Sequence, residues 1–151
     1  RFRFRYRDVL LLLTICLLSI PIVSKLQQIN MSIDLGSVLG EKINQISSSN
    51  DYIMDSLLST TSWEGLFLNV FLLAFMPAIS EEFFFRGVLQ SLLIKKTGRF
   101  LFSVIVVALI FAFFHMNFYN IIPIFYAGLI LGFLYYWTSS IWVSVLFHFF
   151  F

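Results

Sequence analysis

Charge is scarce in this chain of 151 residues: Asp, Glu, Lys and Arg make up 12% of it, roughly half the usual share in a water-soluble domain. Packing does not absorb the shortfall, because a chain of about 150 residues still buries only about 68–70% of its unfolded surface. An ordinary soluble globule is excluded, and so is a disordered chain, whose composition runs the opposite way. Cysteine is nearly absent. Cys16 stands alone in an apolar run, so no intrachain disulfide forms and a disulfide scaffold is excluded. A large excess of positive charge is missing too. The formal net charge is +2, which excludes a strongly basic nucleic-acid binder. What is present in quantity is apolar: 60% of residues are hydrophobic and twenty are phenylalanine. The expectation is an integral, multi-pass membrane protein, all-α, folded as a transmembrane helix bundle.

Five hydrophobic segments are legible. They run over 9–23, 66–94, 100–118, 121–137 and 141–151. The stretch Arg1-Phe2-Arg3-Phe4-Arg5-Tyr6-Arg7 interleaves cations with aromatics ahead of the first. It reads as an interfacial anchor rather than a nucleic-acid arm. Residues 25–64 are polar and read as an outer loop of about forty residues, with at most a short interfacial helix suggested by Val38, Leu39, Ile43 and Ile46. The chain therefore divides into an N-terminal anchor with its loop, 1–64, and a core, 65–151. Beginning at Arg1 and stopping in an apolar run at Phe151, it reads as a piece of a longer protein whose fifth span is unfinished.

Charge sets the expected orientation. The tail 1–8 and the turn Lys95-Lys96-Thr97-Gly98-Arg99 are both net positive, while 25–64 is net negative. Two crossings separate the basic clusters, so the positive-inside rule puts both on the cytoplasmic side and the 25–64 loop outside. Ala108 and Ala112, and Gly128 and Gly132, form small-xxx-small faces that let helices approach closely.

Ionisable groups inside such spans cost roughly 2.5–3.5 kcal/mol each on insertion scales, and a bare bundle has no need of them. Glu81, Glu82, Arg86, His115 and His148 nevertheless lie there. At about 1.5 Å per residue, Glu81 stands about 21 Å above the basic turn, His115 about 24 Å and His148 roughly 15–18 Å, so the three converge on one layer. Glu82 and Arg86 are four apart and can pair on one helix face. Glu81 is rotated about 100° away and need not share that pairing. Taken singly, each group has a bland reading as a helix-stabilising contact. Asn117 and Asn120 read as hydration or capping groups, and Ser80 as a back-bonder to its own helix.

These residues carry a resemblance. Glu81-Glu82-Phe83-Phe84-Phe85-Arg86 resembles the E-E-x-x-x-R signature of the CPBP family of intramembrane CAAX proteases and bacteriocin-processing enzymes. Phe111-Ala112-Phe113-Phe114-His115 resembles its F-x-x-x-H motif, and His148 the first member of H-x-x-x-N or H-x-x-x-D, whose second member would be residue 152. The resemblance implies a glutamate-dependent endopeptidase. In it Glu81 is the catalytic glutamate, His115 its partner in activating water and His148 the oxyanion-stabilising group, with Glu82, Arg86 and Phe111 in support. It also implies a peptide or protein substrate entering from the lipid bilayer, and a bacterial cell membrane as the location. Substrates of such families are prenylated C-termini or leader peptides.

No cofactor is expected. Two His and two Glu could hold zinc, but H-E-x-x-H spacing is missing, so the metal-free mechanism is preferred over a zinc-dependent variant. Two other readings compete: a non-enzymatic immunity or partner-binding protein of the same fold, and a proton or solute relay using Glu81 and His115, which the lack of an inverted repeat disfavours.

Overall fold

In a computed structural model the described residues are 6–33 and 36–151. Among them are six helices and no strand: α1 Tyr6–Met31, α2 Ser37–Leu58, α3 Trp63–Thr97, α4 Phe100–Phe114, α5 Ile121–Thr138 and α6 Ile141–Phe150. A single 3-10 turn, Phe118–Asn120, leads into α5. Three stretches, Leu12–Met31, Trp63–Thr97 and Phe118–Thr138, are long and apolar enough to cross a membrane, and α4 and α6 are shorter apolar helices. Residues 1–5 of the basic and aromatic tail, and Asp34, lie outside the described residues.

Polarity is inverted relative to a soluble protein. Leu17, Leu18, Phe67 and Phe114 are 65–73% exposed, while Glu82, Arg86 and Gln90 are fully buried. The apolar core joins Leu12 of α1 to Phe85 of α3, Val107 and Phe111 of α4, Leu131 and Leu134 of α5, and Val143 and Phe147 of α6. The closest pair of helices is α4 with α5, where a Cβ on Gly128 would lie 3.1 Å from the Cα and Cβ of Ala108. The small-residue faces thus meet each other, and α5 packs in turn on α1 and α6.

Three boundaries differ from the sequence expectation, each for a local reason. First, α1 continues to Met31 instead of ending near Val23. Pro21 removes one backbone donor without stopping the helix. The polar end is held by Asn30, whose Nδ2 donates to the Phe118 carbonyl at 2.8 Å while its Oδ1 accepts from the Ile122 amide at 2.9 Å.

Second, the expected outer loop is largely the 22-residue helix α2. Its serines are poor helix formers. Ser48 and Ser49, however, donate back to the Gln45 carbonyl at 3.1 and 2.9 Å, satisfying their hydroxyls inside the helix. Ile43 is buried, Asn44 accepts from the Tyr119 hydroxyl, and the Leu57 carbonyl accepts from Asn69 Nδ2.

Third, α4 stops at Phe114 rather than running on to Phe118. Met116 adopts a left-handed φ of 52°, a turn that closes the helix immediately beyond His115. By contrast α3 ends conventionally: Gly98 caps it at φ 67°, with Lys95 and Lys96 in its last turn favourable to the helix dipole.

Candidate active site

The site is built where α3 departs from regular winding. Its turns widen to π-helical geometry over Phe71–Phe75 and again over Phe83–Gln90. The short α-helical stretch between them, Met76–Glu82, carries both glutamates at its end. π-helical turns inside α-helices occur frequently at functional sites. Here the wider winding leaves Ser91 Oγ to donate to the Arg86 carbonyl five residues back, at 3.0 Å.

The two adjacent glutamates have different surroundings. Glu82 is wholly buried and its Oε1 accepts twice, from Arg86 Nη1 at 2.8 Å and from His148 Nδ1 at 2.9 Å. Arg86, also wholly buried, turns Nη2 to the Gly128 carbonyl at 3.1 Å, and its guanidinium lies over the Phe111 ring with 4.5 Å to the centroid. Breaking into such a group is costly, since a buried charge left unpaired has no water to replace its partner.

Glu81 takes no part in that pairing. Its side chain is 26% exposed, and its Oε2 is buried without a hydrogen-bond partner among the described residues. Two ring nitrogens face that oxygen, His115 Nε2 at 3.6 Å and His148 Nε2 at 4.0 Å. Both distances exceed a direct hydrogen bond.

Hydrogen bonding on the far side of each ring decides what those nitrogens can do. His115 Nδ1 is 2.8 Å from the Phe111 carbonyl. A carbonyl only accepts, so Nδ1 carries the hydrogen, and in the neutral ring Nε2 presents its lone pair toward Glu81. His148 Nδ1 likewise donates to Glu82, and its Nε2 is a donor only when the ring is cationic. Phe111 binds the group together, with ring centroids 4.5 Å from His115 and 5.9 Å from His148.

A cavity of about 290 Å³ opens beside these rings. His115 and His148 line it together with Phe111, Asn120, Pro123, Ala127 and other apolar side chains. Asn120 thus faces the cavity as well as bonding to Asn117 at 3.3 Å, where the sequence suggested only a capping or hydration group. Among the described residues, no three His, Cys, Asp or Glu side chains are arranged to hold a metal ion. Glu82 Oε1 and His148 Nδ1 are already engaged with each other.

With this geometry in hand, comparison with known families is decisive for kinship. Residues 63–151 match the type II CAAX prenyl endopeptidase, Rce1-like family. The chain belongs to that family. No curated protein and no solved structure matches it. For an Rce1-like chain the membership implies a protease, and the matched span holds Glu81, Glu82, Arg86, Phe111, His115 and His148 together.

Buried polar residues beyond the motifs also stand in this Rce1-like core: Asn69, Gln90, Ser103 and Ser144. Gln90 is fully buried, and its Nε2 donates to the Gly132 carbonyl at 3.0 Å. Its signal was present: an amide in an apolar run, four residues after Arg86 and eight after Glu82, continues the polar face of α3 by one turn.

Proposed function

We propose that the chain is a multi-pass intramembrane endopeptidase that hydrolyses a peptide bond in a membrane-associated peptide or protein. In this reading all five apolar segments are membrane spans, with the N-terminus and the 95–99 turn on the cytoplasmic side. The observation that carries the reading is the Glu81 carboxylate, whose Oε2 lacks a hydrogen-bond partner among the described residues and is faced by the Nε2 atoms of two histidines that line a cavity.

The chemistry follows from the donors and acceptors. Glu81 accepts a proton from a water molecule as the water oxygen attacks the scissile carbonyl. His115 Nε2, with its lone pair directed to the same place, accepts the water's other hydrogen bond and orients it. The carboxyl proton then passes to the departing amine, which restores Glu81. His148, as an imidazolium held by Glu82, donates Nε2–H to the oxyanion of the tetrahedral intermediate. One such donor is typically worth about 10²–10³ in rate. Arg86 and Phe111 hold Glu82 and both rings in place and touch no reacting atom.

The test uses purified protein in lipid nanodiscs and an internally quenched, prenylated peptide ending in Cys-aliphatic-aliphatic-X, the substrate type the family's name specifies. Wild type cleaves it, and Glu81→Gln and His115→Ala each lower turnover by at least about 10²-fold while the protein remains inserted. Undiminished turnover in either variant rules the mechanism out. The zinc-dependent alternative has its own readout. Activity lost to a chelator and restored by added zinc would replace the metal-free mechanism, whereas indifference to the chelator supports it.

A further inference from the structure

We propose that Gln90 is a positioning residue for this site, acting through the register of α3 against α5; the inference rests on the peptidase reading only for its kinetic effect. Two side chains of α3, four residues apart, donate to two carbonyls of α5, also four residues apart. Arg86 Nη2 reaches Gly128 at 3.1 Å and Gln90 Nε2 reaches Gly132 at 3.0 Å. Both receiving residues are glycines, and their bareness is required. A Cβ on Gly132 would lie 2.9 Å from Val104 Cγ1 and 3.0 Å from Gln90 Oε1, and one on Gly128 would press on Ala108. The GxxxG face therefore does two things at once: it admits α4 on one side and presents carbonyls to α3 on the other.

Helix against helix, a single bond fixes contact but leaves rotation and sliding about it. Two parallel bonds one turn apart, about 6 Å at 1.5 Å per residue, fix both, and the hydroxyls of Ser91 and Tyr135, 2.9 Å apart, join the same two helices beside them. What they fix is the origin of a chain of contacts: Arg86 Nη1 to Glu82 Oε1 at 2.8 Å, then Glu82 Oε1 to His148 Nδ1 at 2.9 Å. His148 sits on α6, which Ser144 Oγ ties to the Leu131 carbonyl of α5 at 3.3 Å, and the hydrogen bond that aims its ring is the one from Nδ1 to Glu82. Gln90 touches no reacting group. It makes the buried bond next to Arg86 in the staple.

The same residue carries a cost that separates positioning from stability. Gln90 Oε1 is buried without a hydrogen-bond partner, and an unpaired buried acceptor destabilises a fold. Arg86 Nε and Glu82 Oε2 are in the same condition, as expected of a polar core held for geometry. Replacing Gln90 by methionine keeps the length, removes the unpaired oxygen and deletes the bond to Gly132.

Gln90→Met is therefore compared with wild type in nanodiscs by three readouts. The melting temperature is expected to stay level or rise. Turnover of the quenched prenylated peptide is expected to fall about tenfold to a hundredfold in kcat with KM within about twofold. The third readout needs no activity. The chain has only two histidines, so ¹⁵N-histidine labelling gives two rings, assigned with His115→Gln. The His148 Nδ1 resonance is expected to shift in Gln90→Met while that of His115 stays. An unmoved His148 resonance overturns the proposal. So does a melting temperature and active fraction that fall together at constant kcat per folded molecule, which marks a structural role alone. If wild type cleaves nothing and the resonance still shifts, the peptidase reading fails and the positioning of His148 stands.

Discussion

Two adjacent glutamates, identical in chemistry, are separated by their surroundings. Glu82 is sealed between a guanidinium and an imidazole, whereas Glu81 keeps an oxygen with no partner. Arg86→Met leaves the buried Glu82 carboxylate with the His148 ring alone and should cost about 3–5 kcal/mol, read from reversible unfolding in mixed micelles. A cost under about 1 kcal/mol, the range of an exposed pair, would mean that water reaches the pair. The Glu82–Arg86 spacing was legible in the sequence because four residues on a helix bring side chains together. The His148–Glu82 bond was not, since helix spacing says nothing about which atom of a distant helix arrives. Gln90 continues the polar face of α3 in the sequence, but its role shows only with the Gly132 carbonyl opposite it.

Among elements, the helices on either side of Gly128 and Gly132 carry the sharpest contrast. Gly128→Ala places a methyl 3.1 Å from backbone and side-chain carbons of Ala108, atoms that cannot swing away, so α4 and α5 must part. The expected cost is about 1–3 kcal/mol. Gly40→Ala in α2 meets nothing within 4 Å and should gain about 0.5–1 kcal/mol from the restricted unfolded chain. Both are read by the same unfolding assay, and equal signs would contradict the packing. Long apolar segments declared themselves in the sequence, as did the faces that pack. The extension of α1, the helix α2 and the early stop of α4 did not. They depend on Asn30 bonding across to Phe118 and Ile122, on serines bonding back within their own helix, and on the left-handed Met116. The π-helical turns of α3 have no sequence signal in the apolar run that holds them, yet they flank the glutamates.

For the whole molecule, inverted polarity is the governing fact: aromatic and aliphatic side chains face out, and the buried ion pair faces in. The protein is expected to stay in the membrane pellet after alkaline carbonate extraction. Reporters inserted at Gly98 and in α2 should fall on opposite sides of the bilayer, the former cytoplasmic; both on one side would overturn the proposed topology. The central claim is that this inverted core divides one motif into a glutamate for chemistry and a glutamate for structure. It is tested most directly by measuring turnover and melting temperature for Glu81→Gln and Glu82→Gln side by side in nanodiscs. Glu81→Gln is expected to abolish turnover with an unchanged or raised melting temperature, and Glu82→Gln to lower the melting temperature sharply. Wild-type turnover by Glu81→Gln, or an equal loss of stability in the two variants, would contradict it.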